Sequence, residues 1–315
     1  MALDGEIARI VDAMGTAPMV DLASLPLERA LEIARAGRPL RKTACPVATE
    51  DTHLSVPGGR ILIRCYRPER TGCLPLIFHL HGGGWVTGSV DRDDGRCTQI
   101  SRRASALVVS VDYRLSPEFR HPVAIDDALV AWDWTLENLP RLGGDPRKTA
   151  ISGASAGGQI AVALLQKLRA RGGPLPGVQW LVYPALDPFQ ASPSSNEFRD
   201  GPFLTRARMA WYWDQYIGAG VDRSNPLIAP LTANLGGLPP AYVQVAECDV
   251  LRDEGMEYVT RLRAAGVAAR VHEYPGMIHG FLAVAPDHPQ SLRALQEGCE
   301  AIRAYWRIVQ ESGDA

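Results

Sequence analysis

A serine set among small residues, Gly153-Ala154-Ser155-Ala156-Gly157 followed by Gly158, is the first place in the chain where the side chains suggest chemistry. The pattern G-x-S-x-G is weak alone, because small residues crowd many turns. Its surroundings make it specific. A short apolar run, Thr149–Ser152, precedes it, and an alanine-rich stretch running to about Arg171 follows. A serine between a strand and a helix sits on a strained turn that presents its hydroxyl outward. Its neighbours must be small enough to let backbone pass backbone. The competing reading is a glycine-rich turn with an idle serine.

A hydroxyl is a poor nucleophile until a base takes its proton, and that base needs an orienting carboxylate. On turns of this type the chain order is serine, acid, histidine. Three histidines follow Ser155: His272, His279 and His288. His272 falls within a strand pattern and His288 between Pro286 and Pro289, and both read as solvated. His279, in Gly276-Met277-Ile278-His279-Gly280-Phe281, comes directly after a strand, where a positioned base belongs. Glu247, Asp249 and Asp253 cluster after the run Ala241–Glu247. Asp249 lies at the strand's carboxyl end with a helix still to come, where α/β sheets gather functional groups. Asp253 reads as a charge at the start of that helix.

Acyl transfer also needs donors for the oxygen that gains charge. His81-Gly82-Gly83-Gly84-Trp85 directly follows the run Leu76–Leu80. Three glycines free the backbone to aim N–H groups at one spot. A phosphate loop is the alternative, but neither G-x-G-x-x-G spacing nor a following lysine is present. His81 reads as a loop anchor rather than a base.

These residues need a scaffold. Helical spacing at Ile7, Ile10, Val11 and Met14, and at Leu27, Ala30, Leu31 and Ala34, predicts two N-terminal helices, the second stopped by Gly37 and Pro39. Strands are expected at 53–56, 60–66, 76–80, 106–111, 149–152, 178–183, 241–247 and 269–274, the first two as an antiparallel hairpin. Helices are expected at 93–104, 123–138, 255–265 and 290–308. Strand–helix alternation implies a mostly parallel sheet covered on both faces. Residues 185–235 break the alternation and read as an inserted cap with one aromatic helix, 206–217. Met209, Trp213 and Tyr216 share a face of it.

Length and charge exclude other classes. The 315 residues suffice for a large α/β domain with an insertion. Basic and acidic side chains nearly balance, 33 against 35, so nothing points to nucleic acid or anionic lipid. Cys45, Cys65, Cys73, Cys97, Cys248 and Cys299 form no C-x-x-C pair and match no zinc spacing, which predicts reduced, buried thiols and no metal. No signal-type leader and no run of about 18 apolar residues is found, so a cytoplasmic protein without stable membrane insertion is expected.

With these pieces in order, the chain resembles the hormone-sensitive-lipase-like family of α/β-hydrolase esterases, the bacterial family IV carboxylesterases. HGGGWVTGS (81–89), DYRLSPE (112–118), GASAGG (153–158), DVLRDEG (249–255) and GMIHGF (276–281) carry the resemblance over about residues 50–310. It implies an α/β-hydrolase fold with about eight strands and a helical cap. The cap would comprise residues 1–45 and 185–235, and the core 46–184 and 236–315. It implies Ser155 as nucleophile, His279 as general base and acid, Asp249 as orienting acid, and an oxyanion hole from Gly83, Gly84 and Ala156. DYRLSPE would hold the loops below the site. Two positions depart from the commoner family form: Ala154 stands where Asp is usual, and Val250 where Pro is usual.

The expected reaction is cofactor-free hydrolysis of a small-molecule ester with a short to medium acyl chain. Trp85, Met209 and Trp213 are expected to wall a shallow pocket. An amidase, deacetylase or lactonase would use the same machinery. A non-catalytic receptor would have lost the histidine. A homodimer is one open assembly state.

Overall fold

A computed structural model describes residues 2–13, 20–36, 47–70 and 72–313. Met14, Gly37, Pro39, Cys45 and the expected boundary at 45/46 lie outside the described residues. In chain order the elements are α1 (Gly5–Ala13), α2 (Leu27–Arg35), β1 (Ala48–Val56), β2 (Gly59–Arg67), β3 (Leu74–Leu80), α3 (Val90–Ala104), β4 (Leu107–Asp112), α4 (Val123–Asn138), β5 (Gly144–Ala154), α5 (Ala156–Ala170), β6 (Val178–Val182), α6 (Pro193–Glu197), α7 (Arg206–Ile217), β7 (Ala241–Cys248), α8 (Arg252–Ala264), β8 (Ala269–Ile278), α9 (Phe281–Val284) and α10 (Pro289–Gly313).

The strands form one eight-stranded sheet in the order β1-β2-β4-β3-β5-β6-β7-β8. β1 and β2 pair antiparallel around Pro57-Gly58, where Gly58 takes φ 77° as the third residue of the turn. β2 also pairs antiparallel with β4, and every later pair is parallel. The inner strands are apolar without alternation because both faces are covered. Phe78 and Val109 face the cluster under α4, α5 and α8, while Ile77 and Val108 face the one under α1, α3 and α10.

Two strands outrun their expected lengths. β5 begins at Gly144, five residues early, because Leu74 of β3 pairs with it across a register shift. β8 continues to Ile278, so His279 leaves directly from the strand. The N-terminal helices part company. Ile7 of α1 is buried among core residues near Met277 and Phe281. By contrast, Ala30 of α2 joins Leu22, Val86 and Trp211 of α7 in a small separate cluster. The thiol expectation needs one correction. Cys65, Cys97, Cys248 and Cys299 are buried, but Cys73 is exposed, since it precedes β3 in the loop between two strands. None of the described helices is long and apolar enough to cross a membrane.

Candidate active site

Ser155 joins β5 to α5 with φ 53° and ψ −120°, a positive φ that a side-chain-bearing residue holds only under constraint. The constraint is close packing of backbone. A Cβ on Gly157 would fall 2.2 Å from the carbonyl oxygen of Leu80, so the end of β3 rests directly on the turn. Ser155 N–H also donates to Val182 O (2.9 Å). Its hydroxyl does not cap α5 and is free to face outward.

Ser155 Oγ lies 3.0 Å from His279 Nε2, and His279 Nδ1 lies 2.7 Å from Asp249 Oδ2. A carboxylate can only accept, so Nδ1 carries the proton and Nε2 is left to accept from the serine. The other Asp249 oxygen accepts from Leu251 N–H (3.0 Å). Asp249 is 1% exposed, His279 7% and Ser155 8%, so the carboxylate is dry and the hydroxyl end is the reachable one. The ring of Tyr183 packs 4.8 Å from that of His279.

The neighbouring acids hold backbone. Asp253 accepts from Ser194 N–H (2.7 Å) and pairs with Arg252, so it ties down α6 besides charging the start of α8. Glu247 accepts from Gly276 N–H (2.7 Å), three residues before His279. Of the other histidines, His272 is half-buried near Glu297. His288 corrects the solvated reading. It is 5% exposed, with Nε2 3.1 Å from Asp4 Oδ1, because the proline-flanked turn folds inward onto the start of α1. Asp4 lies 284 positions away, so no local pattern could supply that partner.

The Gly82–Gly84 loop lies against the serine turn. A Cβ on Gly82 would come within 3.0 Å of Ala154 O and 3.5 Å of Ser155 Cβ. Among the described residues, the N–H groups of Gly83, Gly84 and Ala156 donate to no backbone carbonyl outside the regular elements. Ala156 also opens α5, whose dipole favours negative charge there. The loop is fastened from below. Tyr113 donates to His81 O (2.8 Å), Ser116 N–H donates to Trp85 O (2.8 Å), and Arg114 grips Asp127. His81 stacks on Tyr113 at 4.2 Å, and burial lowers its proton affinity, which keeps it a neutral loop anchor. Ala154 and Val250 are both buried within apolar clusters.

Trp85, Met209 and Trp213 are at most 2% exposed. Trp85 lies 4.1 Å from Trp213 and is stacked on Tyr216 at 4.5 Å, and its indole N–H donates to Gln159. The α7 residue that meets the glycine loop is Tyr212. Its ring leaves 2.5 Å to where a Cβ of Gly84 would be, and Gly84 takes φ 59°. Sequence reasoning missed Tyr212, because helical spacing groups residues by face without telling which face a loop will touch. It also missed Phe203, which packs against Gly280 beside His279.

One buried cluster has ligand-like composition. His79, Asp93 and Cys97 place their donor atoms within 4.8 Å of one another. His79 Nε2 is already bonded to Asp93 (2.8 Å), and Arg96 pairs with the same carboxylate (3.4 Å). Burial pushes the Cys97 thiol up, away from the thiolate a metal would need. Burial opposes ionisation of Asp93, yet Arg96 and His79 beside it hold its carboxyl below the usual range. The guanidinium therefore supplies the positive charge this carboxylate requires.

A family profile for the alpha/beta hydrolase fold matches residues 77–283. The carboxylic ester hydrolase LipN of Mycobacterium tuberculosis is 40% identical over 263 residues, covering 81% of this chain and 70% of its own. An ethyl acetate hydrolase of Pseudomonas putida is 36% identical over 243 residues, 75% of this chain and 76% of its own. The crystal structure of a thermostable esterase from Pseudomonas putida superposes with a TM-score of 0.87 at 32% identity, covering 97% of this chain and 98% of that one.

Proposed function

We propose, from the premise that the chain belongs to the alpha/beta hydrolase family and to its hormone-sensitive-lipase-like branch of carboxylic ester hydrolases, that Ser155, His279 and Asp249 carry the reaction as nucleophile, base and orienting acid. The observation that supports this most is the hydrogen-bonded line from Ser155 Oγ through His279 to Asp249.

His279 Nε2 takes the hydroxyl proton as Oγ attacks the ester carbonyl. The carbonyl oxygen gains charge and is received by the N–H groups of Gly83, Gly84 and Ala156. Asp249 stabilises the imidazolium without taking its proton. The imidazolium then protonates the departing alcohol, leaving an acyl-serine. Water, deprotonated by the same nitrogen, attacks the acyl carbon, and Oγ regains its proton as the acid departs. Only the neutral imidazole can start the cycle. Every step uses protein groups and water, and chelators are expected to leave it unchanged.

In this reading α2 and residues 185–235 form the cap, whereas α1, expected in the cap, packs on the core beside β8. Trp85, Met209 and Trp213, with Tyr212 in front of them, bound the acyl side. That bulk favours short to medium chains of small-molecule esters. The test is Ser155→Ala. Turnover of p-nitrophenyl acetate should fall by roughly 10³–10⁶ with the thermal transition intact. A phosphonate ester should label the parent once per chain and the variant not at all. Near-parental turnover in the variant would overturn the assignment.

A further inference from the structure

We propose that Arg35, the last residue of α2, is a positioning residue for the oxyanion hole, acting along two peptide units that end at the N–H of Gly84. The inference rests on the oxyanion-hole reading above and deepens it. Arg35 Nε donates to Val86 O (3.1 Å). In the same peptide unit, Thr87 N–H donates to Gly83 O (2.9 Å). Gly83 O belongs in turn to the peptide unit that carries Gly84 N–H. A trans peptide is planar with its C=O and N–H opposed. Fixing the Val86 carbonyl therefore orients Thr87 N–H, which fixes the Gly83 carbonyl and aims Gly84 N–H the opposite way. Val86 N–H (3.2 Å) and the Thr87 hydroxyl (3.2 Å) converge on the same Gly83 oxygen.

The chain of bonds starts at a cation. A guanidinium on the first carbonyl withdraws charge along both peptides, and hydrogen bonds in series polarise one another by roughly 10–30% each. The Gly84 N–H becomes a better donor at the moment the oxyanion forms. The rest of Arg35 is spent on keeping it there. Its Nη2 donates to Ser116 O (3.1 Å), and Glu118 takes both terminal nitrogens at 2.6 and 2.8 Å. Surface pairs this exposed add little to stability by themselves. What distinguishes this one is its geometry, because Ser116 N–H also holds Trp85 O, on the residue between Gly84 and Val86. Val86 is meanwhile fully buried in the apolar cluster of Leu22, Ala30 and Trp211. The segment beside the glycine loop is thus held by its side chain and its carbonyl from the N-terminal helices.

The experiment compares Arg35→Ala and Arg35→Lys with the parent, every rate normalised to sites titrated by a p-nitrophenyl phosphonate. Losing an oxyanion donor outright costs about 10²–10³ in rate. Misaiming one without deleting it should lower kcat by roughly tenfold in Arg35→Ala, with KM within about twofold. The affinity of a trifluoromethyl ketone, whose adduct bears the oxyanion, should fall by the same factor as kcat/KM. Lysine keeps the charge but is a single point donor, and should recover part of both losses. A kcat per titrated site equal to the parent's would overturn the proposal. So would a loss of kcat that leaves ketone affinity untouched. If Arg35→Ala does not fold, Arg35→Lys carries the test, with a threefold parallel fall as the expected result. Failure of the catalytic reading itself is separately visible, since the parent would then not be titrated by the phosphonate.

Discussion

Asp249, just past β7, and Asp253, in the first turn of α8, stand four residues apart and face different parts of the molecule. Asp249 turns inward to His279, a residue delivered by β8 onto a serine delivered by β5. Asp253 turns to the inserted segment and holds Ser194 N–H, while Glu254 next to it accepts from the N–H groups of Leu186 and Asp187 at the base of that segment. One short stretch of chain therefore orients His279 on one side and tethers the 185–235 segment on the other. The core side is built from strand ends whose register is fixed by the sheet. The side facing residues 185–235 is held by side chains on backbone and by one ion pair, Arg252 with Glu197. Damage to the first should remove catalysis, whereas damage to the second should shift stability or preference.

The sharpest way to break that contrast is Asp249→Asn against Asp253→Asn. Asparagine at 249 lets the imidazole adopt the wrong tautomer, and kcat should drop by about 10⁴. Asparagine at 253 still accepts from Ser194, and should cost a few-fold at most. Steady-state kinetics on p-nitrophenyl butyrate decide it, and the reverse ranking would hand the catalytic role to Asp253.

Trp213→Ala probes the cap side. Removing a fully buried indole that packs on Trp85 should cost about 3–5 kcal/mol of stability. If α7 bounds the acyl site, the optimum of kcat/KM across p-nitrophenyl esters also moves to longer chains, at about 0.8 kcal/mol per methylene accommodated. A lowered Tm with an unchanged chain-length profile would assign Trp213 to packing alone.

The smallest effect is expected at Glu254. Burial, then the charges of Asp187 and Asp249, raise its pKa well above the ordinary 4.5. A raised folded-state value means the folded protein holds a proton that the unfolded chain gives up. Its stability contribution is therefore complete below about pH 4.5 and is lost as pH rises, at about 1.4 kcal/mol per pH unit until the folded value is reached. Glu254→Gln keeps an acceptor for both N–H groups and has nothing to titrate. Its Tm should match the parent below about pH 4.5 and exceed it by a growing margin as pH rises toward 8. A Tm advantage that shrinks with rising pH would contradict this.

The expected strands all form, because long apolar runs and the glycine-rich strand–helix turn are local signals. The ends that were missed depend on partners. Gly144-Asp145-Pro146-Arg147-Lys148 has no strand-like composition, and its start is set by the pairing of Gly144 with Leu74 of β3, with 145–148 taken up in the register shift before Thr149. The same division runs through the site. Ser155, His279 and Asp249 are expected from spacing and chain order, and their side chains lie in one hydrogen-bonded line. Tyr212 over Gly84, Arg35 on the Val86 carbonyl and His288 on Asp4 are not. Each is a contact between distant segments in which one partner is backbone or an unremarkable polar residue. Amphipathic spacing identified the buried side of α7 through Met209 and Trp213, yet the ring that meets the loop comes from the half-buried position between them.

The docking of α1 carries a consequence for how the chain is made. Its anchors are Gly276 O, which accepts from Asp4 N–H at 3.1 Å, and His288, while Ile7 fills a socket near Met277 and Phe281. All of these partners are synthesised some 270 residues after the helix itself. At ~5–20 residues per second, α1 waits on the order of tens of seconds for its partners. During that interval Ile7 has no socket, and Gly276, three residues before His279, lacks its bond from Asp4 N–H. The docking of α1 therefore has to follow the synthesis of β8 and of the turn that holds His288.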